Sequence, residues 1–303
     1  MMRFMPKVLG DRLEPFMREA GLSWFIFKRS PTAMAGLVIV AVFIFIAVFG
    51  PYIAPYDPYE VDMSSRLQPP SLEHPLGTDE YGRDILSRML HGAKYSIEAG
   101  IVVLALAVPL GSLLGAVAGY MGGVVDEALM RLTDIFLAFP GLILAMAVCA
   151  ALGPGLWNAM LALTLVWWPF YARLVRGQAL AIREEAYIEA AKSMGASTLW
   201  IVVRHVLANS ISPILVSATL DMGGVIITAA ALSFLGFGAQ PPTPEWGRMV
   251  CDGRLYIFSA PWYSLFPGFA ILLVALGFNL LGDGLRDMLD PKLRRVIEVK
   301  GVE

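Results

Sequence analysis

Cysteine, histidine and charge are all scarce in this chain. Two cysteines and three histidines stand among 303 residues. Cys149 lies in an apolar run and Cys251 in a polar stretch, so neither a disulfide framework nor metal-ligand spacing exists. His74, His91 and His205 are scattered and form no H-E-x-x-H pair, which leaves an enzyme reading little to stand on. The dipeptide Gly-Lys never occurs, so there is no G-x-x-x-x-G-K-[ST] loop to cradle a nucleotide. Charged residues make up only 16% against 57% hydrophobic, a balance too oily for an ordinary soluble domain of this length. The formal net charge of −2 gives no sign of a nucleic-acid partner.

What the chain does have is long apolar runs. A helix needs about 20 mainly apolar residues to cross roughly 30 Å of hydrocarbon, and residues 33–54 supply the first such stretch without a charge. Lys28 and Arg29 precede it, yet the run is long and lacks a small-residue cleavage site, so it reads as a retained anchor. Residues 96–120 form a second span, interrupted only by Glu98. Residues 135–172 carry no charge at all and would extend to roughly 57 Å as one helix. They must fold back, and "GPG" at 153–155 is the breaker, giving spans 135–152 and 156–172. Spans 210–236 and 262–284 complete an all-α, polytopic membrane protein of six transmembrane helices. An arm (1–32), a transmembrane domain (33–284) with a long polar loop (173–209), and a tail (285–303) follow from these bounds.

Basic residues are retained on the cytoplasmic side. Placing both termini inside leaves 17 of the 23 Lys and Arg in cytoplasmic segments, so the 173–209 loop is the largest internal cytoplasmic connection. Along span two Ala107, Gly111, Gly115 and Gly119 recur every four residues, a small face that admits close approach within the chain or by a second membrane subunit. Pro109, Pro140, Pro169, Pro213 and Pro267 fall in or near spans and predict kinks.

Inside the polar loop, "EEAYIEAAKSMGAS" (184–197) predicts a short helix. Tyr187, Ala190, Ala191 and Met194 lie at i, i+3, i+4 and i+7 on one face, with Glu185, Glu189 and Lys192 away from it. Gly195 supplies a left-handed stop, and a second helix from about 198 leads into span five. On pattern alone such a helix either meets a partner or lies on lipid headgroups.

"EAAKSMG" has the Glu-Ala-Ala-x-x-x-Gly pattern, and "HPLGTDEYGRDILSR" (74–88), "PPTPEWGRM" (241–249), "APWYSLFPG" (260–268) and "NLLGDGLRDMLDPKLR" (279–294) extend the likeness. With these motifs the chain resembles the second permease subunit of binding-protein-dependent ABC importers of the oligopeptide and dipeptide group, which also includes nickel and glutathione permeases. One departure is Ala208 between Leu207 and Asn209, where that family usually has Leu-Pro-Asn. The resemblance implies a type I ABC importer permease fold in the cell inner membrane. It implies a coupling helix, seated through Glu185, Tyr187, Glu189, Ala190, Ala191, Met194 and Gly195 in a groove on a cytoplasmic ATPase. It further implies a homologous second permease, two ATPase subunits that bind ATP and magnesium, and an extracytoplasmic binding protein. No cofactor or metal is expected on this chain itself.

Asp221 is a charge near the middle of span five, where it costs roughly 2.5 to 3.5 kcal/mol. It either lines a translocation pathway or sits paired inside the bundle. Arg131 and Asp134 stand at i, i+3 and predict a pair. In the outer segment 55–95, Asp79, Arg83, Asp84 and Arg88 read as a helix start with exposed charges. The resemblance makes them, with Trp246, candidates for an outer gate or for docking the binding protein. Trp262 and Tyr263 read as interfacial anchors. A stand-alone ion-coupled transporter is the other class, and it would need matching mid-membrane sites in two halves.

Overall fold

A computed structural model describes residue 21 and residues 24–289, so the start of the arm and the tail from 290 lie outside the described residues. Among these the architecture is helical, without a strand. Helix α1 (Pro31–Ile53) starts where Ser30 Oγ accepts from the Ala33 N–H and Pro31 occupies the first turn, a position where its missing N–H costs nothing. Helix α2 (Ile85–Met121) is capped by Asp84, whose carboxylate accepts from the Ser87 N–H at 2.7 Å. At 37 residues it is longer than the hydrocarbon layer requires, so the sequence expectation of 96–120 captured only its apolar part.

Helices α3 (Gly123–Ala138) and α4 (Gly141–Leu152) meet at a bend of 92°. Pro140 causes the break, because it lacks an N–H and biases Phe139 toward extended backbone. The kink expected at Pro140 within span 135–152 is here a full break between two helices. Helix α5 (Leu156–Arg183) follows the predicted break at Gly153–Gly155.

Short α6 (Ala186–Ser193) and α7 (Thr198–Ile201) lead into a π-helical turn (Val202–Leu207), and α8 (Ala208–Phe234) continues it. Ala208 donates its N–H to His205 O, a bond that proline could not make, and the run stays helical from Thr198 to Phe234. Helix α9 (Trp246–Gly253) and α10 (Trp262–Leu289) complete the fold.

Among the described residues, helices α1, α2 and α10 and the run Thr198–Phe234 are long and apolar enough to cross a membrane, and the bent pair α3–α4 is apolar enough for a fifth span if it is taken as one broken helix. With 28 residues α5 has the length of a sixth, although Asn158, Pro169 and three tryptophans lower its hydropathy.

The glycine stripe of α2 is spent within the chain. A Cβ at Gly111 would overlap Trp168 O, one at Gly115 would overlap Ala172 O, and one at Gly119 would come within 2.6 Å of Arg176 O. The backbones of α2 and α5 therefore touch, which gains dispersion contacts where no hydrophobic force drives helices together. Gly36, Gly277 and Gly284 make a similar seam between α1 and α10.

Candidate functional site

The two ends of α2 each carry an assembly of polar side chains. At its C-terminal end α6 packs under Tyr120, and at its N-terminal end a charged loop and α9 close over the bundle.

Helix α6 hangs from α5 by a short reversal at Glu184 and Glu185. Its apolar underside is Ile188 and Ala191, both buried, and Ile188 joins a cluster with Val175, Ala179 and Ile182 of α5, Ala116 of α2, and Ile201 and Val206. Lys192 reaches back over the Tyr120 ring at 5.1 Å. Gly195 adopts φ +82° and closes a Schellman motif, with its N–H on Lys192 O and the Ala196 N–H on Ala191 O. Tyr187 (44% exposed), Met194 (83% exposed), Ala190, Glu185 and Glu189 face outward.

The predicted stripe is thus split: Ala191 belongs to the underside, not to the exposed face. The reason is Ile188, which sequence reasoning passed over although it is the sole branched aliphatic between 184 and 197. Burying it rotates Ala191 inward, since residues three apart share a face. His205 lies between Tyr187 of α6 and Trp200 of α7, at ring separations of 5.5 and 4.9 Å, so α6 is also tied to the base of α8.

At the other end the structure overturns the expectation of exposed charges. Asp79, Arg83, Asp84 and Arg88 are all buried. Asp79 accepts from Arg83 Nε at 2.7 Å and from the N–H groups of Tyr81 and Arg83, with Arg88 Nε at 3.4 Å. Arg88 Nη1 donates to Pro58 O, and His74 Nδ1 meets Asp84 Oδ1 at 3.0 Å. Trp246 is equally buried and donates Nε1–H to Met89 O. Tyr263 is buried too, so it is no interfacial anchor.

The physical reason is mutual satisfaction: opposite charges and backbone groups compensate one another inside the loop, where a lone charge would not be tolerated. These five residues shape the outer loop from within and present little to a partner directly. Beside them a cavity of about 340 Å³ opens between Tyr81, Arg83 and Arg248. Burial pushes the Glu80 carboxyl in its wall above the ordinary range.

Within the bundle Asp221 of α8 accepts from the Tyr171 hydroxyl of α5 at 2.7 Å, next to a cavity of about 290 Å³. The predicted Arg131–Asp134 pair does not form. Arg131 pairs with Glu127 at 2.8 Å, and Asp134 is taken by Arg173, 39 residues away, at 2.5 Å. Among the described residues no three His, Cys, Asp or Glu side chains gather as a metal site.

Comparison with known proteins gives this arrangement a family. Residues 111–295 match the binding-protein-dependent transport system inner membrane component, and residues 19–70 match the N-terminal TM domain of oligopeptide transport permease C. A probable D,D-dipeptide transport system permease protein of Escherichia coli strain K12 is 51% identical, over 90% of this chain and 91% of the relative. A dipeptide transport system permease protein of Alkalihalophilus pseudofirmus is 49% identical over 88% of each. A glutathione transport system permease protein of Escherichia coli O6:K15:H31 is 45% identical over 96% and 95%. Among solved structures, the MetNI methionine ABC transporter in an inward facing conformation shares the fold, with a TM-score of 0.55 and 19% identity over 67% of this chain and 97% of that one. Matched along most of its length at both the family and the individual level, the chain belongs to the inner membrane components of binding-protein-dependent transport systems.

Proposed function

We propose that the chain is the permease subunit of an ATP-driven importer that carries di- and oligopeptides delivered by an extracytoplasmic binding protein. It pairs with a second, homologous permease, and two cytoplasmic ATPases supply the energy. Both termini and α6 face the cytoplasm on this reading, in line with the distribution of Lys and Arg. The observation that carries it is α6 itself. Ile188 anchors the helix to α5 and α2 and Ala191 is buried beside it, while Tyr187, Ala190 and Met194 are left exposed, the arrangement a lever needs if a partner is to push on it. Glu185 and Glu189 beside that face suit charge-assisted hydrogen bonds to a basic partner.

The peptide assignment rests on the dipeptide relatives, and glutathione, a tripeptide carried by the 45% identical permease, is the second reading. Membership in a binding-protein-dependent family stands against a stand-alone ion-coupled transporter.

The test is a cysteine at Ala190 or Ser193 in the assembled complex. Cross-linking to an ATPase subunit during turnover is expected, and no capture at either position would sink the coupling role.

A further inference from the structure

The contact between α5 and α8 is built unlike the glycine seams of α2 with α5 and α1 with α10. Trp167, Phe170, Tyr171 and Leu174 follow one another at i, i+3, i+4 and i+7 and set an aromatic stripe along α5. On α8, Ser217, Asp221, Gly224 and Thr228 fall on one face at i, i+4, i+7 and i+11. Phe170, Tyr171, Leu174, Ser217, Leu220 and Asp221 line the 290 Å³ cavity between the two helices. No residue from 211 to 221 of α8 is buried, and Phe170 is exposed, so this cavity opens out of the bundle. A Cβ at Gly224 would meet only the Trp167 ring, at 3.9 Å, so the groove has room to continue along α8.

Asp221 is what the cavity wall leaves unmatched. Its Oδ2 accepts one hydrogen bond, from Tyr171, and among the described residues it forms no salt bridge. A carboxylate at membrane depth rarely faces lipid, and one phenol does not neutralise it. A carboxylate flanked by aromatic side chains and a hydroxyl suits an ammonium group: the charge is met by Asp221 and the apolar collar by Phe170 and Tyr171. An anion would be repelled here, and a wholly apolar ligand would bury the carboxylate without compensation.

We propose that the α5–α8 cavity binds the primary ammonium group of the transported solute, with Asp221 as the charge partner and Tyr171 orienting its carboxylate. This rests on the transport reading above and adds the place in this chain where the amino end of the solute is held.

The experiment uses the complete transporter in liposomes, with dialanine as the probe and three variants, Asp221→Asn, Asp221→Glu and Ser217→Leu. Expected is a loss of dialanine uptake of roughly tenfold or more for Asp221→Asn. Recovery by Asp221→Glu is also expected, with the subunits still co-purifying. Ser217→Leu, which fills the cavity with an alkyl group, should likewise lose uptake. Uptake by Asp221→Asn equal to that of the parent overturns the proposal. If Asp221→Asn fails to assemble, Ser217→Leu decides: an assembled complex without uptake upholds the site, and normal uptake removes it. Absence of dialanine or glutathione uptake by the parent complex would instead sink the transport reading itself.

Discussion

Arg176 of α5 grips Asp126 of α3 through two parallel hydrogen bonds, Nε to Oδ1 at 2.6 Å and Nη2 to Oδ2 at 2.7 Å. The pair lies less than three turns before α6 along α5, and with Arg173–Asp134 it clamps the helix from which α6 hangs. Its bidentate geometry is the favourable kind for an ion pair, but Arg176 is about a third exposed, so solvent screens it. A double-mutant cycle of Arg176→Ala and Asp126→Ala should give a coupling of about 1 kcal/mol in thermal unfolding, weakening as salt is raised. No coupling would make the clamp a passive contact.

The touching backbones of α2 and α5 predict an asymmetry between glycines. Gly115→Ala forces its Cβ onto Ala172 O, a backbone atom that cannot swing aside, and should cost about 1 to 3 kcal/mol. Gly177→Ala, inside α5 with nothing near the added carbon, should be neutral or stabilise by up to about 1 kcal/mol. Melting temperatures of the two purified variants give the comparison, and equal behaviour would contradict the close packing.

On α6 the inward and outward residues should separate stability from coupling. Ile188→Ala empties a fully buried position and should cost about 2 to 5 kcal/mol. Met194→Glu changes a residue that touches little of its own chain and should stay within about 0.5 kcal/mol in stability, while ATP-dependent uptake falls. A variant pattern in which both changes act on stability alone would leave α6 without a coupling face.

Glu80 predicts a pH slope. Its folded-state pKa is raised, chiefly because burial disfavours the charged form, so the folded chain holds this proton after the unfolded chain has lost it. Between the ordinary carboxylate value of about 4.3 and the raised folded value, stability therefore falls as pH rises. Glu80→Gln removes that proton from the balance and should flatten the slope. Denaturation followed from pH 4 upward, in steps of about one unit, is the measurement. A slope unchanged by the substitution would place its origin elsewhere.

Legibility divided along the range of the forces involved. The membrane runs were readable because bilayer thickness imposes a length of apolar sequence that needs no knowledge of neighbours. The stop at Gly195 and the break at 153–155 were readable for a similar reason: left-handed backbone is a property of one residue and its chain neighbours. The bend at Pro140 was half legible, since the proline was noted as a kink but not as the boundary between two helices.

The partners of the charges were not legible. Asp134 lay three residues from Arg131, yet it bonds to Arg173 because α3 packs beside α5 and brings that guanidinium nearer than the local one. Asp79, Arg83 and Arg88 looked solvated by their type, and only the closure of the loop on itself takes them out of water.

By itself the sequence determined that this is a helical membrane chain, where its long apolar runs lie, and which transport family its motifs resemble, because hydropathy, helix stops and motif spacing act within a few turns of chain. Only the tertiary structure decided that Ile188 rather than Tyr187 is buried beneath α6, that the glycine stripe is used internally, and that Asp221 meets Tyr171. Each of those depends on which surfaces share the same space, and side-chain pairing energies of a kcal/mol or so become effective only after packing has brought residues 50 positions apart to within hydrogen-bonding distance.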